Sequence, residues 1–208
     1  MRGVTLDKYI DGIRHDPGLL QDLLRRFVLL AGEMEDMSLA HGDLSHGNIL
    51  VDDGELRLVD YDGMYVPGMP FLTSAELGHD NYQHPYRDRS VFGPTTDRFS
   101  AIVIYLSIRA LMYRPALWER FSNGDNLIFV RDDFVDPANS ALMAALDSVG
   151  QMKGLMSRFA SLCASNMDDI PALSMFVGQA SAADQRTNLR PAPPVILPQE
   201  IRAPQTRI

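Results

Sequence analysis

The chain has 208 residues, 46% of them hydrophobic and 22% charged, a balance that supports a buried core and sets it apart from disordered or membrane-embedded sequences. Acidic residues outnumber basic ones 27 to 19, giving a net charge of −8 with no Lys/Arg block, which argues against nucleic acid or an anionic membrane as the main partner. The single cysteine, Cys163, leaves no disulfide and no cysteine-based metal site, and reads as a buried structural thiol.

In chain order, the opening MRGVTLDKYIDG carries no apolar signal core. The longest apolar stretch, AIVIYLSIRALMY, is shorter than a bilayer span and is interrupted by Ser107 and Arg109, so the expected location is cytoplasmic. Residues 16 to 40 give the strongest helix signal. Asp16 suits the cap, Pro17 the first helical position, and Leu20, Leu23, Leu24, Phe27, Leu30 and Met34 recur on one face. This helix is predicted to deliver the chain directly to His41.

Two short apolar runs, NILV and LRLV, follow, separated by DDGE, and Asp53-Gly54 is a tight-turn signal. They predict a small hairpin with Asn48 at the start of one strand and Asp60 at the end of the other, so that both polar side chains emerge at one edge. Residues 64 to 94 are rich in Gly, Pro, Asn, Asp and His and read as an extended functional loop. TTDRFSAIVIYLSIRALMY is apolar on nearly every face and predicts a helix buried inside a lobe over 96–112. Asp136-Pro137 suggests a capped start for the helix NSALMAALDSV, and GLMSRFASLCA and PALSMF continue the helical pattern, with most of the methionines as core filler. The expected fold class is mainly α with a small β-hairpin, one domain over 1–177. The proline-rich segment 178–208 is expected to be a disordered tail or linker.

HGDLSHGN at 41–48 and DYDG at 60–63 hold the candidate chemistry. Phosphoryl transfer from a nucleotide requires a group that orients the attacking hydroxyl and oxygen ligands for a Mg²⁺ bridging the phosphates. Asp43 suits the first role, while Asn48 and Asp60 offer a neutral and a charged oxygen for the second. His41 reads as a packed structural residue, and Asp52 and Asp53 as turn residues. Asp62 reads as a further metal ligand or a loop-capping group.

His41, Asp43 and Asn48 match the H-x-D-x-x-x-x-N catalytic loop of the protein-kinase-like superfamily, and Asp60 falls where that superfamily has the metal-binding Asp of its D-F-G element. GHDNYQHP at 78–85 resembles the substrate-facing end of an activation segment, and TDRFSAIVIYL at 96–106 resembles the buried helix that begins D-x-W-S. The resemblance, closest to bacterial eukaryotic-like Ser/Thr protein kinases, implies a kinase C-terminal lobe that transfers phosphate from ATP to Ser or Thr of a protein substrate. It makes Asp43 the catalytic base, Asn48 and Asp60 the Mg²⁺ ligands within the ATP site, and Leu50 a floor under the adenine. Asp97 becomes an internal brace accepting hydrogen bonds from the backbone around His41 and Gly42.

The sequence also departs from that pattern. Gly42 stands where many protein kinases carry the Arg that pairs with a phosphorylated activation loop, and Ser45 stands where serine kinases carry a Lys. HGDLSHGN is also similar to the H-G-D-L-H-x-G-N of aminoglycoside and choline kinases. No G-x-G-x-x-G loop and no V-A-I-K strand precede His41, so the chain resembles a C-lobe lacking its N-lobe. The expectation is weak nucleotide binding and little activity unless a longer chain or a partner supplies that lobe. A pseudokinase or interaction module and a small-molecule phosphotransferase are the competing expectations.

Overall fold

The computed structural model describes residues 3–69, 73–74 and 76–178. The expected tail over 179–208 lies outside them. The fold is mainly helical with one small three-stranded antiparallel sheet, in the order β1 (Val4–Thr5), β2 (Ile49–Asp52), β3 (Glu55–Leu58). Asp52 pairs with Glu55 across a two-residue turn in which Asp53 and Gly54 both have positive φ, +50° and +82°. That is the type I′ turn whose twist matches the flanking strands. The predicted hairpin is therefore present, and β1, two residues long and too short to give a periodic signal, adds a third strand by pairing with Leu50 and Val51.

Helix α1 (Leu6–Ile13) leads into α2 (Pro17–Asp36), whose cap is Asp16: its carboxylate accepts from the amides of Gly18 and Leu19. Leu20, Leu23, Leu24, Phe27 and Met34 are buried, as their spacing predicts, while Leu30 is only half-buried. The helix stops at Asp36, earlier than expected. Ser38 takes a left-handed φ of +54°, and Ala40 forms an isolated bridge with Tyr65, so the approach to His41 is extended backbone.

Helix α3 (Arg98–Tyr113) runs through the middle of the lobe with 12 of its 16 residues buried, which is why its sequence is apolar all round. Its two buried serines are satisfied: Ser100 donates to the Tyr82 carbonyl and Ser107 to the Val103 carbonyl. Around it pack α4 (Leu117–Phe121), α5 (Arg131–Val135), α6 (Ala141–Asp147), α7 (Gly150–Cys163) and α8 (Leu173–Gly178). Asp136-Pro137 does not open a helix, contrary to expectation. Asp136 closes α5, and α6 starts instead at Ser140, whose hydroxyl accepts from the Met143 amide and donates to Asp133. Phe99, Phe129, Phe134 and Phe159 meet in edge-on and stacked contacts at 5.1–6.0 Å. Met37 and Met175 are exposed rather than core filler, and Cys163 is buried, its thiol pushed up to about 12 by burial.

His84 fixes the loop ahead of α3 onto α7. Its Nε2–H donates to the Leu162 carbonyl at 2.9 Å and its Nδ1 accepts from the Tyr86 amide at 3.2 Å, a pattern that only the neutral ring satisfies. Burial lowers its pKa below the ordinary 6.5. The unfolded chain therefore binds more protons just below that value, and this contribution to stability is present above pH 6.5 and lost as pH falls through it. Urea midpoints measured between about pH 7.5 and about pH 5 should fall for the native chain and fall less for His84→Gln. Equal slopes for the two proteins would contradict this assignment.

Candidate active site

Residues 41–48 leave the Ala40 bridge as a tight loop and end in a 3₁₀ turn, His46–Asn48, that feeds β2. Three anchors hold it. The imidazole of His41, fully buried, donates from Nε2 to the Val59 carbonyl at 2.8 Å, tying the loop to the chain just before Asp60. The carboxylate of Asp97, at the N-terminus of α3, accepts from the His41 amide through Oδ2 and from the Gly42 amide through Oδ1, the latter at 3.0 Å. This is the brace expected from the sequence. Desolvation raises the Asp97 pKa, and the two amide donors act against that shift.

The third anchor is steric. Gly42 has φ +84°, and a β-carbon there would lie 2.1 Å from the Gly63 carbonyl oxygen. The backbones of the HGD and DYDG segments thus abut with no room for a side chain. Sequence reasoning registers only the charge lost where an Arg is absent. The contact itself joins residues 21 positions apart and leaves no local signal.

Asp43 and Asn48 are brought together. The Asn48 amide nitrogen donates to the Asp43 carbonyl and to Asp43 Oδ2, both at 2.9 Å, and Asp43 Oδ1 accepts from the His79 amide at 2.6 Å. Gly78, φ +77°, lies so close that a β-carbon would fall 2.9 Å from Asp43 Oδ1, 2.9 Å from the Gly42 carbonyl and 2.6 Å from Gln83 Nε2. The start of the 78–83 segment therefore packs directly on the carboxylate.

Asp60 is exposed and has φ +65°, and its carboxylate has no hydrogen bond or ion pair among the described residues. Its neighbour Val59 donates its amide to the Asn48 carbonyl at 3.0 Å, so the two ends of the hairpin meet where the sequence placed them. Asp62 is likewise exposed. Leu50 is half-buried and lies on the opposite face of β2 from Ile49 and Val51, which point into the core.

The donor types are ones that Mg²⁺ accepts. Because Asn48 spends its amide hydrogens on Asp43, its carbonyl oxygen would be left for a cation, and the Asp60 carboxylate would add a charged oxygen. Among the described residues no three His, Cys, Asp or Glu side chains gather into a metal cluster. Two protein oxygens are what Mg²⁺ takes when substrate phosphates and water complete its octahedron.

No family model matches the chain, and no curated protein matches it. No helix among the described residues is long and apolar enough to cross a membrane.

Proposed function

We propose that the chain is the catalytic lobe of an ATP- and Mg²⁺-dependent kinase of protein-kinase-like fold, phosphorylating Ser or Thr of a protein. The observation that carries this reading is the Asp43–Asn48 pairing on a loop whose amides are held by Asp97, with the hairpin returning Asp60 to the same edge. In this reading Asn48 and Asp60 would hold a Mg²⁺ ion, which when bound would supply positive charge to the nucleotide phosphates. The Asn48 amide keeps Asp43 aimed, and the carboxylate accepts the proton of the attacking hydroxyl. Leu50 offers an apolar surface toward the adenine. The 78–83 segment, seated on Asp43, presents the acceptor.

Calorimetry with ATP and Mg²⁺ tests the nucleotide half. Asp60→Asn should weaken Mg²⁺-dependent ATP binding by ~10-fold or more through loss of the charged ligand, and Asp43→Ala should leave it nearly unchanged. Transfer of labelled phosphate from ATP, measured with the N-lobe supplied by a longer chain or a partner, tests the chemistry, because Asp43→Ala should remove it by ~10²-fold or more. ATP binding indifferent to Mg²⁺ and to Asp60 would overturn the reading.

A further inference from the structure

His46 has no part in the reading above, yet its ring is placed with care. It keeps only 8% exposure, packs 5.5 Å from the Tyr82 ring, and meets the His79 ring edge-on at 6.0 Å. Its Nδ1 lies 2.6 Å from the Tyr82 hydroxyl, and the same hydroxyl accepts the Leu127 amide at 3.0 Å. A phenol has one hydrogen to give. If Nδ1 carried the ring hydrogen, the buried hydroxyl would accept from both neighbours and its own hydrogen would have no acceptor among the described residues; the phenol hydrogen therefore goes to His46 Nδ1, and the ring proton sits on Nε2. Among the described residues His46 Nε2 has no hydrogen-bond partner, and it is not one of the polar atoms sealed from solvent. The chain thus builds a rigid donor and leaves it unused.

Its surroundings choose the ligand. The ring lies in the field of Asp7, Asp125 and Asp43, and His79 joins two of these to the substrate-facing segment: its amide donates to Asp43 and its ring bonds Asp125 at 3.0 Å. Three carboxylates disfavour a phosphate oxygen at Nε2. A neutral hydroxyl oxygen suffers no such repulsion. We propose that His46 is the acceptor-positioning residue of this site, its Nε2–H donating to the oxygen of the acceptor hydroxyl while that hydroxyl gives its own hydrogen to Asp43. One lone pair of the oxygen is then pinned and another is free to attack. The proton passes to Asp43, the new O–P bond forms as the bridge between the γ-phosphorus and ADP breaks, and the electron pair leaves with ADP. This rests on the kinase reading for the reaction, but not for the tautomer.

The experiment uses the full 208-residue chain. Nitrogen-15 NMR of the imidazoles should show His46 as a single Nε2–H tautomer in the native protein and a mixture in Tyr82→Phe. Titration with a serine peptide library and, separately, with a hydroxyl-bearing amino-sugar distinguishes a protein acceptor from a small one, and the accepted class should shift the Nε2 resonance. His46→Ala should weaken binding of that acceptor by ~10-fold, the loss of one good hydrogen bond, while ATP affinity stays unchanged. His46→Gln, whose amide nitrogen reaches where Nε2 stood, should restore most of it. An Nδ1–H tautomer, no Nε2 response to either class, or acceptor affinity unaltered in His46→Ala would each overturn the proposal. Failure of Mg²⁺-dependent ATP binding would instead count against the kinase reading.

Discussion

Gly42→Ala is expected to cost about 2–5 kcal/mol of stability, the sum of a left-handed backbone strain and an overpacked contact, and, on the kinase reading proposed above, to abolish phosphoryl transfer. The methyl group cannot turn aside, because what it meets is the Gly63 backbone carbonyl at 2.1 Å rather than a flexible side chain. Either the HGD loop retreats from α3, breaking the amide bonds to Asp97, or the DYDG segment moves and carries Asp60 with it. Both routes separate the groups that, on the proposed reading, converge on one metal–nucleotide complex. A displacement of about 1 Å at such a site is enough to cost ~10²-fold in rate. The matched control is Gly12→Ala in α1, where an added methyl meets nothing within 4 Å and should be neutral or stabilising by up to about 1 kcal/mol. Urea unfolding of both variants, with ATP binding measured in parallel, checks the pair. A Gly42→Ala protein as stable as Gly12→Ala would remove the steric link between the two motifs.

The same contact marks the boundary of what the sequence discloses. Helix α2 could be read because its cap, its proline and its apolar spacing are local. The hairpin could be read because Asp53-Gly54 specifies the only turn those strands can use. Even Asp97 could be placed, since the motif that precedes a buried helix is a stretch of adjacent residues. The Gly42–Gly63 abutment, the seating of Gly78 and His79 on Asp43, and the pairing of His46 with Tyr82 are different in kind: each joins residues between 21 and 36 positions apart. Their identities carry no periodic or turn signal, and nothing but the packed chain shows that they meet. The early end of α2 has a similar origin. Residues 37 to 40 have helix-compatible composition, but the bridge from Ala40 to Tyr65 claims that backbone for an extended entry to the loop.

Asp97 is where the loop's geometry depends most on one side chain. Its two oxygens take the amides of His41 and Gly42, and its burial means that no water can replace either bond. Asp97→Asn has nearly the same shape but only one acceptor. Its NH₂ would face a backbone N–H, leaving a buried donor unmatched at a cost of about 1–3 kcal/mol. A second cost comes from Arg87. That residue is 8% exposed, and its Nε and Nη2 are sealed from solvent without a hydrogen-bond partner among the described residues. Burial lowers its pKa, and Asp97 and the exposed Asp88 act in the opposite direction. Removing the Asp97 charge strands a buried cation, which brings the total expected loss to about 3–5 kcal/mol. The double variant Asp97→Asn/Arg87→Met separates the two contributions, because deleting the cation together with the anion should recover part of the loss. A double-mutant cycle in urea should return a coupling of about 1–2 kcal/mol, whereas strict additivity would mean that Asp97 acts only through the loop amides. ATP binding in Arg87→Met alone decides what the cation is for: an affinity unchanged from the native chain makes Arg87 a counterion of the brace, and a loss equal to that of Asp97→Asn makes it as necessary to the loop as the carboxylate itself.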